Sequence, residues 1–398
     1  MTPKADKAIL RQQDLFFPVT DIDLFFQLIQ TALGTADGID GVPTEEEWAE
    51  MYKEAQRQTL LGVCFVGVQK ICGRHPEQAV NLPAALKMKW LGAAAFVQDR
   101  NRLMNRRCVE LQQSMASDGF RTCILKGQGV ASFYGELAQL RQSGDIDIFV
   151  DADLATILKY LSDKGLLNDG WDYVHAHPRF FEDVEVELHY RLNVFRDLFL
   201  NRKFQKFAEK DKKEFFGNKV ALAAVGEITI PSGWMNLFYL LHHIYRHLFS
   251  EGIGLRQVMD YYFALRSISL SPDDSDQLLM AVRNFGMERF ARGLMWVLSN
   301  AFCMEENLMP WIPDEKEGRF ILEDIMQSGN FGKLDNRYGK PAGNKIRKFT
   351  ATLRRSLHLL SHYPSEALWT PAYYIWHFCW KRIKCLNFRY KSNTANAI

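Results

Sequence analysis

The chain has 398 residues, of which 47% are hydrophobic, and its formal net charge is +2 at pH 7. This length fits two or three domains, or one domain with large extensions, and the composition excludes a disordered protein. The near-neutral balance argues against a surface built to bind long nucleic acid, although the segment from Lys340 to Lys391 is rich in Lys and Arg.

Cysteine usage and hydropathy indicate the compartment. The seven cysteines are odd in number and form no CxxC pair, which predicts neither a disulfide framework nor a zinc knuckle. The N-terminal residues lack the apolar core of a signal peptide, and no apolar run is long enough to span a bilayer. We therefore expect a cytoplasmic protein.

Hydrophobic spacing predicts helices over the first hundred or so residues and a mixed pattern from Gly119 onward. The predicted N-terminal helices are Asp21–Leu33, one or two between Glu45 and Ile71 that begin at Thr44-Glu45-Glu46-Glu47, and a long helix from Pro83 to about Met115. The predicted strands are Arg121–Leu125, Asp145–Val150, Trp171–Ala176 and Val184–Tyr190, with helices beginning at Val130 and after the capping sequence Asp151-Ala152-Asp153.

After Arg191 the pattern is again mostly helical, interrupted by a predicted hairpin from Phe215 to Ile230 with Gly217-Asn218 at its turn. The predicted helices there are Trp234–Phe249, Leu255–Ser267, Ser275–Asn284, Met287–Ala301 and Gly318–Ile325, followed by a polar linker, Gly329–Gly343. We predict an α+β fold in which a small mixed β-sheet core is embedded in a mostly helical chain. The predicted regions are 1–118 (helical), 119–191 (the α/β core), 192–328 (helical, with the hairpin) and 329–398 (linker and basic, aromatic helices).

Two acids mark the start of the predicted strand Asp145–Val150. Asp145 and Asp147 are two apart, so both side chains leave one face of the strand while the apolar residues between and after them face a core. Neighbouring carboxylates repel each other unless a cation lies between them, and hard divalent ions prefer oxygen ligands. The sequence therefore predicts a Mg²⁺ or Mn²⁺ site, with Glu185 and Glu187 as the candidates for a third ligand.

The segment before these acids has features of a phosphate-binding loop. Gly127 and Gly129 suit a loop whose backbone N–H groups approach phosphates, and Lys126 and Arg141 could add positive charge against a triphosphate. The plainer interpretations are that Lys126 is a surface lysine and that Arg141 pairs locally with Glu136.

Taken in order, the segments LKG, R-x-x-G-D-I-D-I-F-V and V-E-L-H-Y-R-L resemble the uncharacterised bacterial nucleotidyltransferases of the polymerase-beta-like superfamily. The similarity covers roughly residues 121–265 and includes LLHHIYRHLFSEGIGLRQVMDYYFAL. The resemblance implies that Asp145 and Asp147 bind the metal and that Glu187, rather than Glu185, is the third ligand. These three are the expected catalytic residues, and Glu187 is also a candidate base.

The resemblance also implies a nucleotide site near the loop. The expected nucleotide-binding residues are Lys126, Gly127, Gln128, Arg141 and Gly144. The superfamily usually has Gly-Ser in the phosphate loop, whereas this chain has Gly127-Gln128. His189 is expected to point away from Glu187, and either to pack in the core or to orient a neighbour.

The activity that the resemblance implies is transfer of a nucleoside monophosphate from an NTP, with ATP as the expected nucleotide, to an acceptor hydroxyl with release of pyrophosphate. A small molecule, a protein or an RNA end could each supply that hydroxyl. The alternative is a catalytically inactive nucleotide-binding or regulatory protein that retains the fold, and the departure at Gln128 keeps this alternative open.

A second polar cluster lies on two predicted helices and comprises His242, His243, His247, Arg256 and Asp260. His243 and His247 are four apart, a spacing that can hold zinc, but no glutamate base lies between them and no third ligand is evident. The favoured interpretation is a polar network in which Arg256 and Asp260, one helical turn apart, pair together.

The segment from Trp369 to Lys391 mixes Trp, Tyr and Phe with Lys and Arg. This composition is compatible with an interfacial membrane helix or with nucleic-acid contact. The favoured interpretation is a terminal helix that packs its aromatic face on the protein or on a second subunit. Peripheral membrane binding and self-association through this helix are thus the partner hypotheses besides the nucleotide.

Overall fold

The computed structural model describes residues 19–168, 170–222, 225–332, 335, 337, 338 and 345–395. It confirms the predicted α+β class, because the chain is mostly helical with a small mixed sheet and a separate hairpin. The helices are α1 Val19–Leu33, α2 Glu45–Arg57, α3 Leu61–Arg74, α4 Ala84–Ser117, α5 Gln128–Ala131, α6 Leu154–Asp163, α7 Leu198–Lys210, α8 Gly233–Leu248, α9 Leu255–Ser267, α10 Pro272–Asn284, α11 Glu288–Phe302, α12 Glu315–Ser328, α13 Lys345–Leu359 and α14 Pro364–Ala395. The strands are β1 Thr122–Ile124, β2 Ile146–Val150, β3 His175–Ala176, β4 Val186–His189, β5 Asn218–Leu222 and β6 Gly226–Ile230. The predicted polar N-terminus and much of the predicted linker Gly329–Gly343 lie outside the described residues.

The four-stranded sheet has the order β1-β2-β4-β3. Strand β2 pairs antiparallel with β1 and parallel with β4, and β3 pairs antiparallel with β4. As predicted, Ile146, Ile148 and Val150 are buried on one face of β2, in a core that includes residues of α4 and α6. The alternate face of β2 is therefore free to carry polar groups toward the rest of the chain.

Strand β3 is shorter than the predicted strand Trp171–Ala176. Only His175 and Ala176 pair with β4, and Trp171 forms an isolated bridge back to Ala176. The Asp172 carboxylate accepts hydrogen bonds from the backbone N–H groups of Val174 and His175, which folds these residues into a tight turn. This local side-chain hydrogen bonding explains why the strand begins late.

The predicted hairpin forms, but its turn was wrongly predicted at Gly217-Asn218. Asn218 is the first residue of β5, and it pairs with Ile230 at the open end of the hairpin. The reversal lies between Leu222 and Gly226, where the Val225 N–H donates to the Leu222 carbonyl at 3.0 Å and Gly226 has φ +147°. A φ of this sign favours glycine, so Gly226 was the informative signal.

Helices α8 and α9 lie over the polar face of the sheet. Nearly every residue of α8 is buried, and α8 packs on α9 and α10. Helix α9, predicted correctly as Leu255–Ser267, also contacts α5 and the short 3₁₀ helix Ser132–Leu140. A cleft thus remains between the sheet and the α8–α9 pair.

The C-terminal helix α14 turns its aromatic residues toward the protein. The Trp376 ring lies 4.9 Å from that of Tyr173, and the Trp380 ring lies 6.1 Å from that of Trp171. The Tyr373 ring covers the guanidinium of Arg196 at 4.5 Å. This agrees with the favoured interpretation of the terminal segment up to residue 385, beyond which side chains lie outside the described part. In the described ranges, no helix has both the length and the apolar character needed to cross a bilayer.

Candidate active site

Three adjacent strands present polar side chains on one face of the sheet. In the parallel pair, Asp147 of β2 lies opposite Glu187 of β4, and in the antiparallel pair His175 of β3 lies opposite His189 of β4. Because side chains two apart share a face, Glu187 and His189 point the same way. The prediction that His189 points away from Glu187 was therefore wrong, since it miscounted the period of two.

Asp147 lies at the centre of this face, with a side chain that is only 2% exposed. Lys126 Nζ lies 2.8 Å from Asp147 Oδ1, and His189 Nε2 lies 3.2 Å from the same oxygen. Burial alone would lower the pKa of Lys126, but the carboxylates of Asp147, Asp145 and Glu187 outweigh it and raise that pKa. Lys126 is thus a half-buried charged partner of Asp147, and the surface-lysine interpretation was wrong.

Glu187 is the acid that lies beside Asp147. Its Oε2 is 3.4 Å from His189 Nε2 and 3.9 Å from His175 Nε2. Burial alone would raise the pKa of Glu187, but the hydrogen bond with His189 and the charge of Lys126 outweigh it and hold the pKa well below its usual range. Glu185 is exposed, and its backbone carbonyl accepts from the Ile146 N–H.

Asp145 lies one residue before β2 and is half-buried. The charge of Asp147, and then burial, raise the pKa of Asp145. Ligand atoms of Asp147, Glu187 and His189 all lie within 4.8 Å of one another. Three carboxylates facing one lysine and one imidazole carry surplus negative charge, so this donor set fits a divalent cation.

The two loop residues Gly127 and Gln128 differ in where they point. Gly127 has φ +56° and lines the cleft close to the Asp145 carbonyl. The Gln128 side chain is buried, donates through Nε2 to Asn105 Oδ1 and accepts from Ser143 Oγ at 2.7 Å. Gln128 therefore anchors the loop to α4 and to Ser143, and its side chain is not among the groups that line the cleft.

Arg141 pairs with Asp260 of α9, not with Glu136. Its Nε and Nη2 donate to the two oxygens of Asp260 at 2.6 and 2.8 Å, and the Tyr134 hydroxyl donates to the first of these oxygens at 2.6 Å. A bidentate buried pair of this kind fixes the angle between the Arg141 loop and α9. The prediction that Arg256 pairs with Asp260 was also wrong, because Arg141 and Tyr134 occupy that carboxylate.

Two arginines of the helical wall face the cleft with unused hydrogen-bonding capacity. Arg256 Nη1 donates to the Gln142 carbonyl at 3.0 Å, and Arg246 Nη1 donates to Asn193 Oδ1 at 3.0 Å. The buried Nε of each has no hydrogen-bond partner among the described residues. Burial and the neighbouring Arg141 lower the pKa of Arg256, so this guanidinium is poorly satisfied where it lies.

The predicted histidine cluster divides into separate environments. His243 and His247 stack edge to face at 4.4 Å, and His247 Nδ1 contacts Glu251 Oε2 at 2.9 Å. His242 lies in the core against Phe195 at 4.1 Å, where burial lowers its pKa to about 3. Among the described residues, neither His243 nor His247 belongs to a group of three potential metal ligands.

These groups surround a cavity of about 460 Å³ between the sheet and helices α8 and α9. Of the expected site residues, the lining includes Lys126, Gly127, Arg141, Gly144, Asp145, Asp147 and Glu187. One wall carries Asp145, Asp147 and Glu187; the other carries Arg246, Arg256, His243 and His247, together with Glu251 and Asp260, which pair with His247 and Arg141. The cavity therefore pairs an acidic wall, suited to metal ions, with a basic wall, suited to phosphates.

Sequence reasoning missed several groups of this cavity, namely Asp172, His175, His177 and Arg246. A signal was present for two of them, because His175-Ala176-His177 alternates as a strand does and places both imidazoles on one face. No sequence signal pointed to Arg246, because it lies in a mostly apolar helix. It reaches the cavity only because α8 packs over the sheet.

One comparison with known proteins gives a match. A family model described as an uncharacterised nucleotidyltransferase matches residues 44–302, more than half of the 398-residue chain. Searches among curated proteins and among solved structures gave no match. The matched range contains both sheets, helices α8 and α9 and every cavity-lining residue except Phe331. The chain therefore belongs to this family of uncharacterised nucleotidyltransferases.

Proposed function

We propose that this protein is a metal-dependent nucleotidyltransferase that transfers a nucleoside monophosphate from an NTP, with ATP as the expected donor, to an acceptor hydroxyl. A bond forms between the hydroxyl oxygen and the α-phosphorus, the bond from that phosphorus to the bridging oxygen breaks, and pyrophosphate leaves. The observation that carries the proposal is the register of two parallel strands, which brings Asp147 and Glu187 together at the wall of a cavity. The polymerase-beta-like resemblance of the motifs supports the same activity.

Asp145, Asp147 and Glu187 are the proposed ligands of Mg²⁺ or Mn²⁺. These three carboxylates suit a divalent cation because of their charge. The Asp147 charge already raises the pKa of Asp145, and the neighbouring side chains do not supply enough positive charge to balance all three acids. When bound, such ions activate the attacking hydroxyl and neutralise the leaving pyrophosphate. Oxygen-rich coordination of this type is what Mg²⁺ prefers.

The triphosphate is proposed to bind between Lys126 and the two arginines of the helical wall. Arg246 and Arg256 have buried N–H groups without partners among the described residues, so phosphate oxygens would satisfy them. Gly127 and Gly144 bring backbone close to the same space. Arg141 and Gln128 are proposed to act indirectly, because their polar atoms are already committed to Asp260, Asn105 and Ser143.

The direct test is a screen with the four NTPs radiolabelled at the α-phosphate, in Mg²⁺ or Mn²⁺, against pools of small-molecule, protein and RNA acceptors. We expect release of pyrophosphate together with label in one acceptor class. Asp147→Asn serves as the matched negative control, because it removes charge without changing side-chain shape. Transfer at the wild-type rate by this variant would contradict the two-carboxylate mechanism.

The alternative is a nucleotide-binding or regulatory protein without transferase activity, supported by the inward-facing Gln128 and by the Lys126–Asp147 pair, which already occupies one carboxylate oxygen. Equilibrium dialysis separates the two functions. Tight NTP binding with no pyrophosphate release in the full acceptor screen would favour the alternative.

Self-association or membrane contact through α14 stays a separate proposal. Helix α14 exposes several apolar side chains on its outer surface: Leu368, Ile375, Phe378 and Ile383. Sedimentation velocity and liposome flotation of wild-type protein and of Ile375→Asp test the two partners in one preparation. An unchanged monomer that does not float would exclude both.

A further inference from the structure

Beside the proposed magnesium ligands lies a second group of donor atoms with different chemistry. Ring nitrogens of His175 and His177 and a carboxylate oxygen of Glu187 all lie within 4.8 Å of one another. His175 belongs to β3, and His177 is the first residue after that strand. The two histidines are two residues apart, so their side chains lie on the same face. The antiparallel register places His175 opposite His189, which brings the next position on that face toward Glu187.

A second observation concerns the other nitrogen of His175. Its Nε2 faces Glu187 Oε2 at 3.9 Å, while its buried Nδ1 faces Asp172 Oδ1 at 3.9 Å and has no hydrogen-bond partner among the described residues. Metal-binding histidines commonly have a carboxylate behind the ring nitrogen that does not bind the ion. Asp172, His175 and Glu187 follow this order, although the 3.9 Å between Asp172 Oδ1 and His175 Nδ1 is longer than a hydrogen bond.

We propose that His175, His177 and Glu187 form a binding site for a first-row transition-metal ion of the zinc type. Two imidazoles and one carboxylate are the ligands that such ions select, whereas Mg²⁺ prefers oxygen. Glu187 has two carboxylate oxygens, so it can serve this site and the proposed magnesium site together. Asp172 is the positioning residue that orients the His175 ring.

The geometry requires only a small contraction. Ligand atoms around a tetrahedral zinc ion lie about 3.3–3.6 Å apart, given bonds of about 2.0–2.2 Å. His177 is exposed, so its ring can rotate toward the other two ligands. Three protein ligands leave a fourth position open to the cavity, as in zinc sites that take part in reactions.

The same rings also permit a metal-free interpretation, in which they only stack. The His175 and His177 ring centroids lie 4.8 Å apart, edge to face. Stacking alone predicts no dependence of metal affinity on His177, so a binding measurement separates the two interpretations.

The test uses full-length protein stripped with a chelator and titrated with Co²⁺ and Zn²⁺ in the absence of nucleotide. We expect Co²⁺ to give the visible absorption of an imidazole-bound ion, and Zn²⁺ to displace it. His177→Ala should weaken Co²⁺ binding at least tenfold, and Asp172→Asn should weaken it by about ten- to a hundredfold. Glu185→Gln, at the exposed residue just before β4, is the matched control and should bind Co²⁺ as the wild type does.

Each outcome decides the proposal. Wild-type affinity in His177→Ala, with the fold verified by circular dichroism, would overturn it. Loss of Co²⁺ binding in Asp147→Asn but not in His177→Ala would also overturn it, because the ion would then lie among Asp147, Glu187 and His189. This measurement needs no turnover, so its failure and the failure of Mg²⁺-dependent nucleotidyl transfer can be told apart.

Discussion

Two buried carboxylates of this protein, Asp147 in the sheet and Asp324 in α12, have nearly the same exposure but opposite surroundings. The Asp324 side chain is 1% exposed and receives Arg355 Nη2 at 2.6 Å and Arg337 Nη2 at 2.8 Å. Asp335 shares both arginines, so two acids face two guanidinium groups. Charge there is balanced within the protein.

Around Asp147 the negative charges are not balanced by neighbouring positive charges. Asp145, Asp147 and Glu187 face Lys126 and His189, and the group borders a cavity. Burial of an acid is therefore not in itself a sign of function, since a balanced ion-pair network buries acids equally well. A better indicator of function is an excess of negative charge beside a cavity that a ligand can fill.

The largest effect should follow from Asp147→Asn. Loss of this charge removes a proposed metal ligand, and we expect the rate of nucleotidyl transfer to fall on the order of a thousandfold with little change in the fold. Steady-state release of pyrophosphate measures the rate, and circular dichroism checks the fold. Activity near the wild-type level would mean that the surplus charge around Asp147 is not catalytic.

Asp324→Ala should affect stability instead. It removes the nearer of the two carboxylates that pair with the buried Arg355 and leaves only Asp335, so we expect the free energy of unfolding to fall by about 3 kcal/mol. Asp147→Ala should lower the free energy of unfolding much less, because it relieves the repulsion of Asp147 with Asp145 and Glu187. Urea denaturation of both variants gives the comparison, and equal losses would show that the two clusters do not differ in the way described.

Arg256→Ala tests the basic wall of the cavity. Loss of its charge-assisted hydrogen bonds to phosphate should weaken NTP binding by about ten- to a hundredfold, and Arg256→Lys should restore part of it. Isothermal titration with a non-hydrolysable NTP analogue measures the affinity. Arg319→Ala, at an ion pair with Glu315 on α12, is the control that should leave binding unchanged.

The smallest effect is expected for Gln128→Ala. This side chain satisfies Asn105 and Ser143 within the protein, so its removal should lower the free energy of unfolding by about 1–2 kcal/mol. NTP affinity measured on the folded protein should change little. A large loss of affinity without a loss of stability would return Gln128 to the nucleotide site.

Local patterns in the sequence predicted the fold class and most of the elements. The acid–apolar alternation of Asp145–Val150 predicted β2, since a buried face and a polar face impose that period on any strand. Helix α9 was also predicted at its observed bounds, Leu255–Ser267. The length of strand β3 was overestimated, because hydrogen bonds to the Asp172 side chain compete with strand pairing. Hydrophobic periodicity does not reveal such hydrogen bonds.

Partners distant in the chain could not be predicted in this way. Arg141 and Asp260 are 119 residues apart, and nothing local to Arg141 distinguishes this partner from Glu136. The basic wall of the cavity was missed for the same reason, because Arg246 gains its setting only when α8 packs over the sheet. The preference for Glu187 over Glu185 rested on the family resemblance, since the two acids are equivalent by periodicity alone.

The packing of α14 on the turn before β3 has a consequence for handling the protein. Strand β3 is the outer strand of the sheet, and Trp376 and Trp380 of α14 lie against Tyr173 and Trp171 beside it. The outer edge of β3 is already paired within the protein, since the Asp172 N–H donates to the His175 carbonyl and the His177 N–H donates to the Gly170 carbonyl. A chain shortened before Pro364 would therefore uncover the aromatic rings of Trp171 and Tyr173 and not free strand backbone, and we expect it to aggregate through this apolar patch even though all the residues matched by the family model remain.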